Sequence, residues 1–312
     1  MQVGIIKLIQ ENEHPAPPGH PENPRRMKAA VDYVSRSDIS GDLVDVVPGE
    51  VDSSAIGRIH DERYLNLVEA VSSRGGGYLD GDTYASPGSF EAARATASAA
   101  IAAVGEMMAG RFKRMFLAGR PPGHHAESNR GMGFCIINNA AVAAETLIGN
   151  HNLKRVAVVD WDVHHGNATQ HSFYERSDVY YVSLHRYPFY PGSGASVERG
   201  SGEGDGYTLN IPLPGGTAYE KYLDEFTEKV VPALEQYRPE FMIISCGFDA
   251  HLDDPLGGMG MTEDAFGEMT RMLAELSDKH SEGRILSVFE GGYDPTANSL
   301  CLYHHLKELQ KD

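Results

Sequence analysis

Five short runs in this chain, at 115–118, 156–159, 179–184, 241–245 and 285–289, are nearly continuously apolar and rich in β-prone residues. A strand that alternates apolar with polar residues can leave one face in water. One that does not alternate must be covered on both faces. Helical stretches at 138–147, 219–237 and 262–277 separate most of these runs. Strand, helix, strand in alternation predicts an α/β protein, an open parallel sheet with helices on both faces. MQVGIIKLIQ at the start reads as a further strand, and the spacing predicts helices over 25–35, 56–72 and the alanine-rich 89–108. No repeat or low-complexity linker divides the chain, so residues 1–312 are expected to form a single domain.

Chemistry-bearing residues follow each run: His124 and His125 the first, Asp160, Asp162, His164 and His165 the second, His185 the third, Asp249 the fourth and Tyr293 the last. Open α/β sheets carry their sites beyond the carboxyl ends of the strands. Five segments therefore converge on one sheet edge, and that convergence predicts a site.

The densest segment is VAVVDWDVHHG (156–166). Burying several ionisable groups together costs several kcal/mol each unless they pair or bind a metal. In an extended segment Asp160, Asp162 and His164 would share one face. Carboxylate and imidazole donors suit a divalent ion such as Zn²⁺. Asp162, His164 and Asp249 give an Asp-His-Asp set that leaves positions for water and substrate. Asp253 and Asp254 compete with Asp249, which is preferred because it directly follows its strand; a helix N-cap is the alternative role for it. His124 and His125 follow a rigid Pro-Pro-Gly turn, and paired imidazoles near a metal point to proton transfer. Asp160 and Asn167 are the candidates to select their tautomers. Tyr293, in EGGY, offers a hydroxyl to a developing oxyanion, unless it is a packed core tyrosine.

Composition narrows the partners. The net charge of −17 argues against direct nucleic-acid binding and suits a cationic substrate or simply a soluble surface. No apolar run is long enough for a membrane span. The isolated Cys135, Cys246 and Cys301 carry no paired spacing, so a disulfide framework is not expected and a cytoplasmic setting is. The proline-rich loop 11–24, with His14 and His20, reads either as a rim over a site or as a stiff crossover. A homo-oligomer is compatible with the chain.

These segments resemble the arginase-fold zinc deacetylases, that is, histone deacetylases and acetylpolyamine amidohydrolases. The matching text is HPENPRR (20–26), RPPGHHA (120–126), GFC (133–135), VDWDVHHGN (159–167), SLH (183–185), GFDAHLDDPLG (247–257) and EGGY (290–293), in order along essentially the whole chain. The resemblance implies a parallel sheet of about eight strands and one catalytic Zn²⁺ on Asp162, His164 and Asp249. It implies His125 as general base and acid, His124 backed by Asp160 as an electrostatic partner, and Tyr293 as the group polarising the amide carbonyl. It also implies K⁺ or Na⁺ at an inner site (Asp160, Asp162, His164, Ser183, Leu184) and an outer one (Phe173, Arg176, Val179, Tyr207). Phe134 and Tyr190 match the walls of an acyl channel, with Gly133, His20, Asp82 and Leu256 among the substrate-contacting positions.

Asn167 stands where some relatives carry an aspartate; together with EGGY and HHAESNRGMGFC it resembles the class II branch. Leu256 replaces the glutamate of polyamine-specific relatives, which favours acetyl-lysine or a general acylamide over an acetylpolyamine. A binuclear manganese ureohydrolase of the same fold needs more carboxylates and histidines than are seen.

Overall fold

The computed structural model describes residues 1–311. Its strands are β1 (Val3–Leu8), β2 (Leu43–Asp45), β3 (Gly77–Tyr78), β4 (Tyr84–Ala85), β5 (Arg114–Gly119), β6 (Val156–Asp160), β7 (Val179–Arg186), β8 (Thr208–Leu213), β9 (Phe241–Cys246) and β10 (Ile285–Phe289). The helices are α1 (Pro24–Val34), α2 (Ser54–Ile59), α3 (Glu62–Ser73), α4 (Ser89–Met108), α5 (Asn139–Gly149), α6 (Asn167–Phe173), α7 (Tyr219–Glu225), α8 (Val231–Tyr237), α9 (Glu263–His280) and α10 (Pro295–Leu309). Eight strands form one all-parallel sheet in the order β2-β1-β5-β10-β9-β6-β7-β8, while β3 and β4 make a small antiparallel hairpin.

The sheet is buried on both faces, as its apolar runs require. Within β6, Ala157 and Val159 join the core that packs α1 and α7 to α10, whereas Val156 and Val158 join the core under α2 to α5. Period-two alternation thus sends one strand's side chains into two different cores. The alanines of α4 let it lie against α5 and the sheet with little side-chain bulk between them.

This order positions the site. β5, β10, β9 and β6 are consecutive neighbours in the middle of the sheet. Their carboxyl ends deliver the segments carrying His124 and His125, Tyr293, Asp249, and Asp162 and His164 side by side.

Three local readings need correction. The stretch 56–72 is two helices: the chain leaves α2 at His60, whose buried ring accepts from Asn138 N at 2.9 Å and donates to the Glu127 carbonyl at 2.9 Å. His185 lies inside β7 rather than beyond it, bonded to Ser183 and to the Gly194 carbonyl. β6 stops at Asp160, so strand alternation does not place Asp162 and His164. A bend does, because Asp160 Oδ1 accepts from Asp162 N and Asp162 Oδ1 from His164 N. The loop 11–24 is anchored by His14, which bonds Ser89, and by Glu22, buried between Arg26 and Arg120, while the rest of it is exposed or half-buried.

Candidate active site

Asp162, His164 and Asp249 come together beyond β6 and β9. His164 Nδ1 lies 3.1 Å from Asp162 Oδ1 and 3.1 Å from Asp249 Oδ2. Backbone N–H groups orient each carboxylate: Gly291 N donates to Asp162 Oδ2 at 2.7 Å and Val163 N to Asp249 Oδ1 at 2.8 Å. The surroundings are stripped of side chains, since a Cβ on Gly291 would fall 2.1 Å from Asp249 Oδ2 and one on Gly247 would fall 2.2 Å from Asp162 Oδ2.

Charge tests whether a cation suits this cradle. Both aspartates are fully buried. Burial opposes ionisation of Asp162, but His124 and His164 overcome it and hold its carboxyl well below the usual range. Burial and the Asp162 charge push Asp249 up to about 7. Burial works against a charged His164, yet its bonds to Asp162 and Asp249 lift it to about 9. Protons on this cluster do the neutralising that a divalent cation would do better. The donor set, two carboxylates and one imidazole, fits such an ion.

Position also separates the three competing aspartates. Asp249 heads a turn rather than a helix. The Asp254 carboxylate is occupied by Leu256 N, Gly257 N and Tyr293 N, and the Asp253 side chain is mostly exposed.

The histidine pair stands beside the cluster with ring centroids 4.0 Å apart, and the His125 ring is 6.0 Å from that of His164. His124 Nδ1 is 3.0 Å from Asp160 Oδ2, and His125 Nδ1 is 2.7 Å from Asn167 Oδ1. The two environments diverge. Burial opposes a positive His124, but Asp162 and Asp160 push it up to about 10. Burial first, then the positive neighbours His124 and His164, drive His125 well below its ordinary value. One imidazole is held as a cation and its neighbour as a neutral base.

Tyr293 immediately precedes the N-cap of α10, where Asp294 accepts from Thr296 N and Ala297 N. Its ring is partly buried, edge-on to Phe134 at 5.9 Å and beneath the Arg26 guanidinium at 5.6 Å. Burial, with Asp249 and Asp162, pushes its phenol well above the usual range, so the hydroxyl keeps its proton. Phe134 also meets His20 edge-on at 4.8 Å. Tyr190 meets His125 edge-on at 5.1 Å, and Phe189 stacks on His164 at 5.3 Å. Gly133 has φ of +55°, and a Cβ there would fall 2.4 Å from His125 Cδ2. Asp82 is exposed on the β3–β4 turn, its carbonyl accepting from His20 Nε2 at 3.1 Å. Leu256 is also exposed, on a loop that Asp254 ties to the Tyr293 backbone.

The two predicted monovalent-ion sets lie apart. Asp160 pairs with Ser183 in the β6–β7 register, and the Leu184 carbonyl accepts from Tyr222 Oη at 3.0 Å. Phe173, Arg176, Val179 and Tyr207 gather where β7 begins, at the opposite sheet edge. There the Tyr207 carbonyl accepts from Tyr181 N, and Arg176 sits 5.1 Å above the Phe173 ring.

Several site residues escaped the sequence reading. Glu290 Oε2 accepts from Gly123 N at 2.6 Å and His124 N at 3.2 Å, so it fixes the turn that presents both histidines. Tyr181 Oη donates to Asp160 Oδ2 at 3.1 Å. Glu22 braces Arg120 and Arg26, while Glu127 contacts Asn167. The glutamates sit inside the motifs already singled out, but spacing alone gives them no partner.

The histone deacetylase domain matches residues 20–309. A histone deacetylase-like amidohydrolase of Pseudomonas aeruginosa is 39% identical over 300 residues, covering 95% of this chain and 78% of its own. A probable deacetylase of Archaeoglobus fulgidus is 36% identical over 295 residues, covering 94% of this chain and 82% of its own. The crystal structure of the HDA15 HD domain superposes with a TM-score of 0.93 at 35% identity, covering 99% of this chain and 89% of that one. With its parallel sheet, its buried Asp-His-Asp cluster and its paired histidines, the chain belongs to the histone deacetylase family.

Proposed function

We propose that this chain is a zinc-dependent amidohydrolase that removes acetyl or other acyl groups from linear, lysine-like amines. One observation carries the reading: a buried Asp162-His164-Asp249 donor set stands beside a neutral, Asn167-anchored His125. A Zn²⁺ held by those three residues supplies Lewis acidity, which makes water more acidic and an amide carbonyl more electrophilic. Nδ1 of His125 is engaged by Asn167, which leaves Nε2 to take a proton from water and later hand it to the leaving amine. His124, kept cationic against Asp160 and Asp162, stabilises negative charge nearby without giving up its proton. The protonated Tyr293 hydroxyl donates to the oxygen that becomes negative at the tetrahedral stage. Phe134 and Tyr190 are the walls of an apolar slot for a linear alkyl chain. K⁺ or Na⁺ is the proposed occupant at the Asp160–Ser183 end of β6 and β7 and at the start of β7.

Acetyl-lysine in a protein or peptide is the preferred substrate class, because Leu256 offers no carboxylate to a distant ammonium. The specific support for acetylpolyamines is the net charge of −17 with Asp80 and Asp82 on the exposed turn. Purified enzyme is assayed on an acetyl-lysine peptide, free acetylpolyamines and longer acyl-lysines, with metal content measured in parallel. We expect one zinc per chain and hydrolysis of the acetyl-lysine peptide. Two manganese ions per chain, or no amide hydrolysis on any substrate, would reject the reading.

A further inference from the structure

Behind His125 the polar contacts continue outward. Asn167, nearly fully buried, faces His125 with Oδ1, and its Nδ2 donates to Glu127 Oε1. The same Glu127 oxygen accepts from Nδ1 of the half-exposed His171 at 2.9 Å. Glu127 itself is pinned: its N–H donates to the Arg130 carbonyl at 2.9 Å, and its own carbonyl accepts from the buried His60. Its side chain is only 16% exposed.

The two ends of a carboxamide are nearly the same in shape, so its partners decide which way it faces. A carboxylate accepts and never donates. The Asn167 NH₂ group must therefore face Glu127, which turns the carbonyl toward His125. That carbonyl in turn requires the proton of neutral His125 to sit on Nδ1, leaving the Nε2 lone pair free. An aspartate behind His125 would impose this tautomer alone; an asparagine cannot, because it can present either end. We infer that Glu127 is a positioning residue for His125, acting through the Asn167 amide to fix its tautomer and to strengthen the hydrogen bond that supports it as a base. Burial opposes ionisation of Glu127, but the His171 bond and charge outweigh it, so the carboxylate stays charged. The inference rests on the proposed role of His125 in proton transfer.

Glu127→Gln is the discriminating variant, since glutamine also presents an oxygen or an amide and releases the constraint on Asn167. Metal-loaded protein with ¹⁵N-labelled histidine reports the His125 tautomer by NMR, independently of activity. We expect Nδ1–H in the wild type and a population of Nε2–H in Glu127→Gln. kcat should fall by about tenfold to a hundredfold, the scale for losing an outer partner of a site residue, with KM within about twofold. In an Asn167→Asp background a carboxylate meets His125 directly, and adding Glu127→Gln should then change kcat by less than about twofold. An unchanged tautomer and rate in Glu127→Gln, or an equal loss in both backgrounds, would overturn the inference. Should Glu127→Gln not fold, Glu127→Asp keeps the charge and must keep Nδ1–H; appearance of Nε2–H there overturns it too. A wild type inactive on every acylamide would sink the proposed function, while the tautomer measurement would still decide whether Glu127 positions His125.

Discussion

Two clusters of buried charge lie within this molecule, and they are built on opposite terms. Around Glu22 the negative charge is fully matched, one carboxylate facing two guanidiniums. Its carboxylate accepts from Arg120 Nε at 2.6 Å, Arg120 Nη2 at 2.7 Å and Arg26 Nε at 3.1 Å, and the arginines also donate to the carbonyls of Ile9 and Glu290. Around Asp162 and Asp249 the negative charge is not matched. Two buried carboxylates share one imidazole, and Asp249 is pushed toward its protonated form. The matched cluster ties the loop 11–24 to β5 and to the segment after β10. The mismatched one holds negative charge in readiness for a cation. Whether buried negative charge is matched separates a brace from a site even where burial is alike.

The sharpest break of that comparison removes a carboxylate from the mismatched cluster. Asp249→Asn preserves volume and the acceptor for Val163 N, yet it should lose the bound metal. It should also lower kcat/KM by several kcal/mol of transition-state stabilisation, about a thousandfold or more. Metal analysis and thermal unfolding of the chelated protein check it. The chelated variant should be no less stable than chelated wild type, because a like-charge pair has been relieved. Full zinc occupancy with normal turnover would remove Asp249 from the ligand set.

The matching experiment on the brace has the opposite signature. Glu22→Gln leaves Arg26 and Arg120 buried without their anion and should destabilise the fold by about 3–5 kcal/mol, while the folded fraction retains metal. Acid reveals the sign. Burial opposes ionisation of Glu22, but Arg120 and Arg26 hold its folded-state carboxyl well below the ordinary value. Its contribution is therefore complete above the unfolded value of about 4.3 and is lost as pH falls through the depressed folded-state value. The stability gap between wild type and variant, measured by denaturant unfolding, should close on acidification. A gap independent of pH would mean that packing and not charge sets the loss.

Smaller effects sharpen the line between metal ligands and their neighbours. Tyr293→Phe and His125→Ala should retain metal and fold, and each should lower the rate by about two orders of magnitude. Metal content and steady-state kinetics on the same preparations decide this, and normal turnover in either variant excludes that residue from the chemistry. Smallest is the expected change at the exposed rim. Leu256→Glu should raise the acetylpolyamine to acetyl-lysine ratio of kcat/KM by about tenfold, or about 1.4 kcal/mol. A wild type that already prefers acetylpolyamines, and a variant that leaves the preference alone, would shift the search to Asp80 and Asp82.

The central strands β5, β6, β9 and β10 were legible because burial on both faces demands continuous apolar runs. Both edge strands were missed. β2 is three residues of which none is buried, and β8 carries Pro212. An edge strand buries less, so it leaves a weaker apolar record. The polar residues after each strand also announced a site, since nothing else explains so many ionisable groups beside buried runs. What the sequence alone could not decide is which of those groups meet. Its place directly after the strand already favoured Asp249 over Asp253 and Asp254, but Glu127 and Glu290 looked like ordinary loop and turn glutamates.

Propensity and periodicity act over about a dozen neighbouring residues, and from them the sequence determined the sheet, the helices on both its faces and the edge that carries the chemistry. The pairing of buried charges is a different matter. Glu22 meets Arg120 across 98 residues of chain, and Asp162 meets Gly291 across 129. Coulomb attraction and desolvation depend on distance through space, so only the tertiary structure decided which carboxylates are balanced and which await a cation.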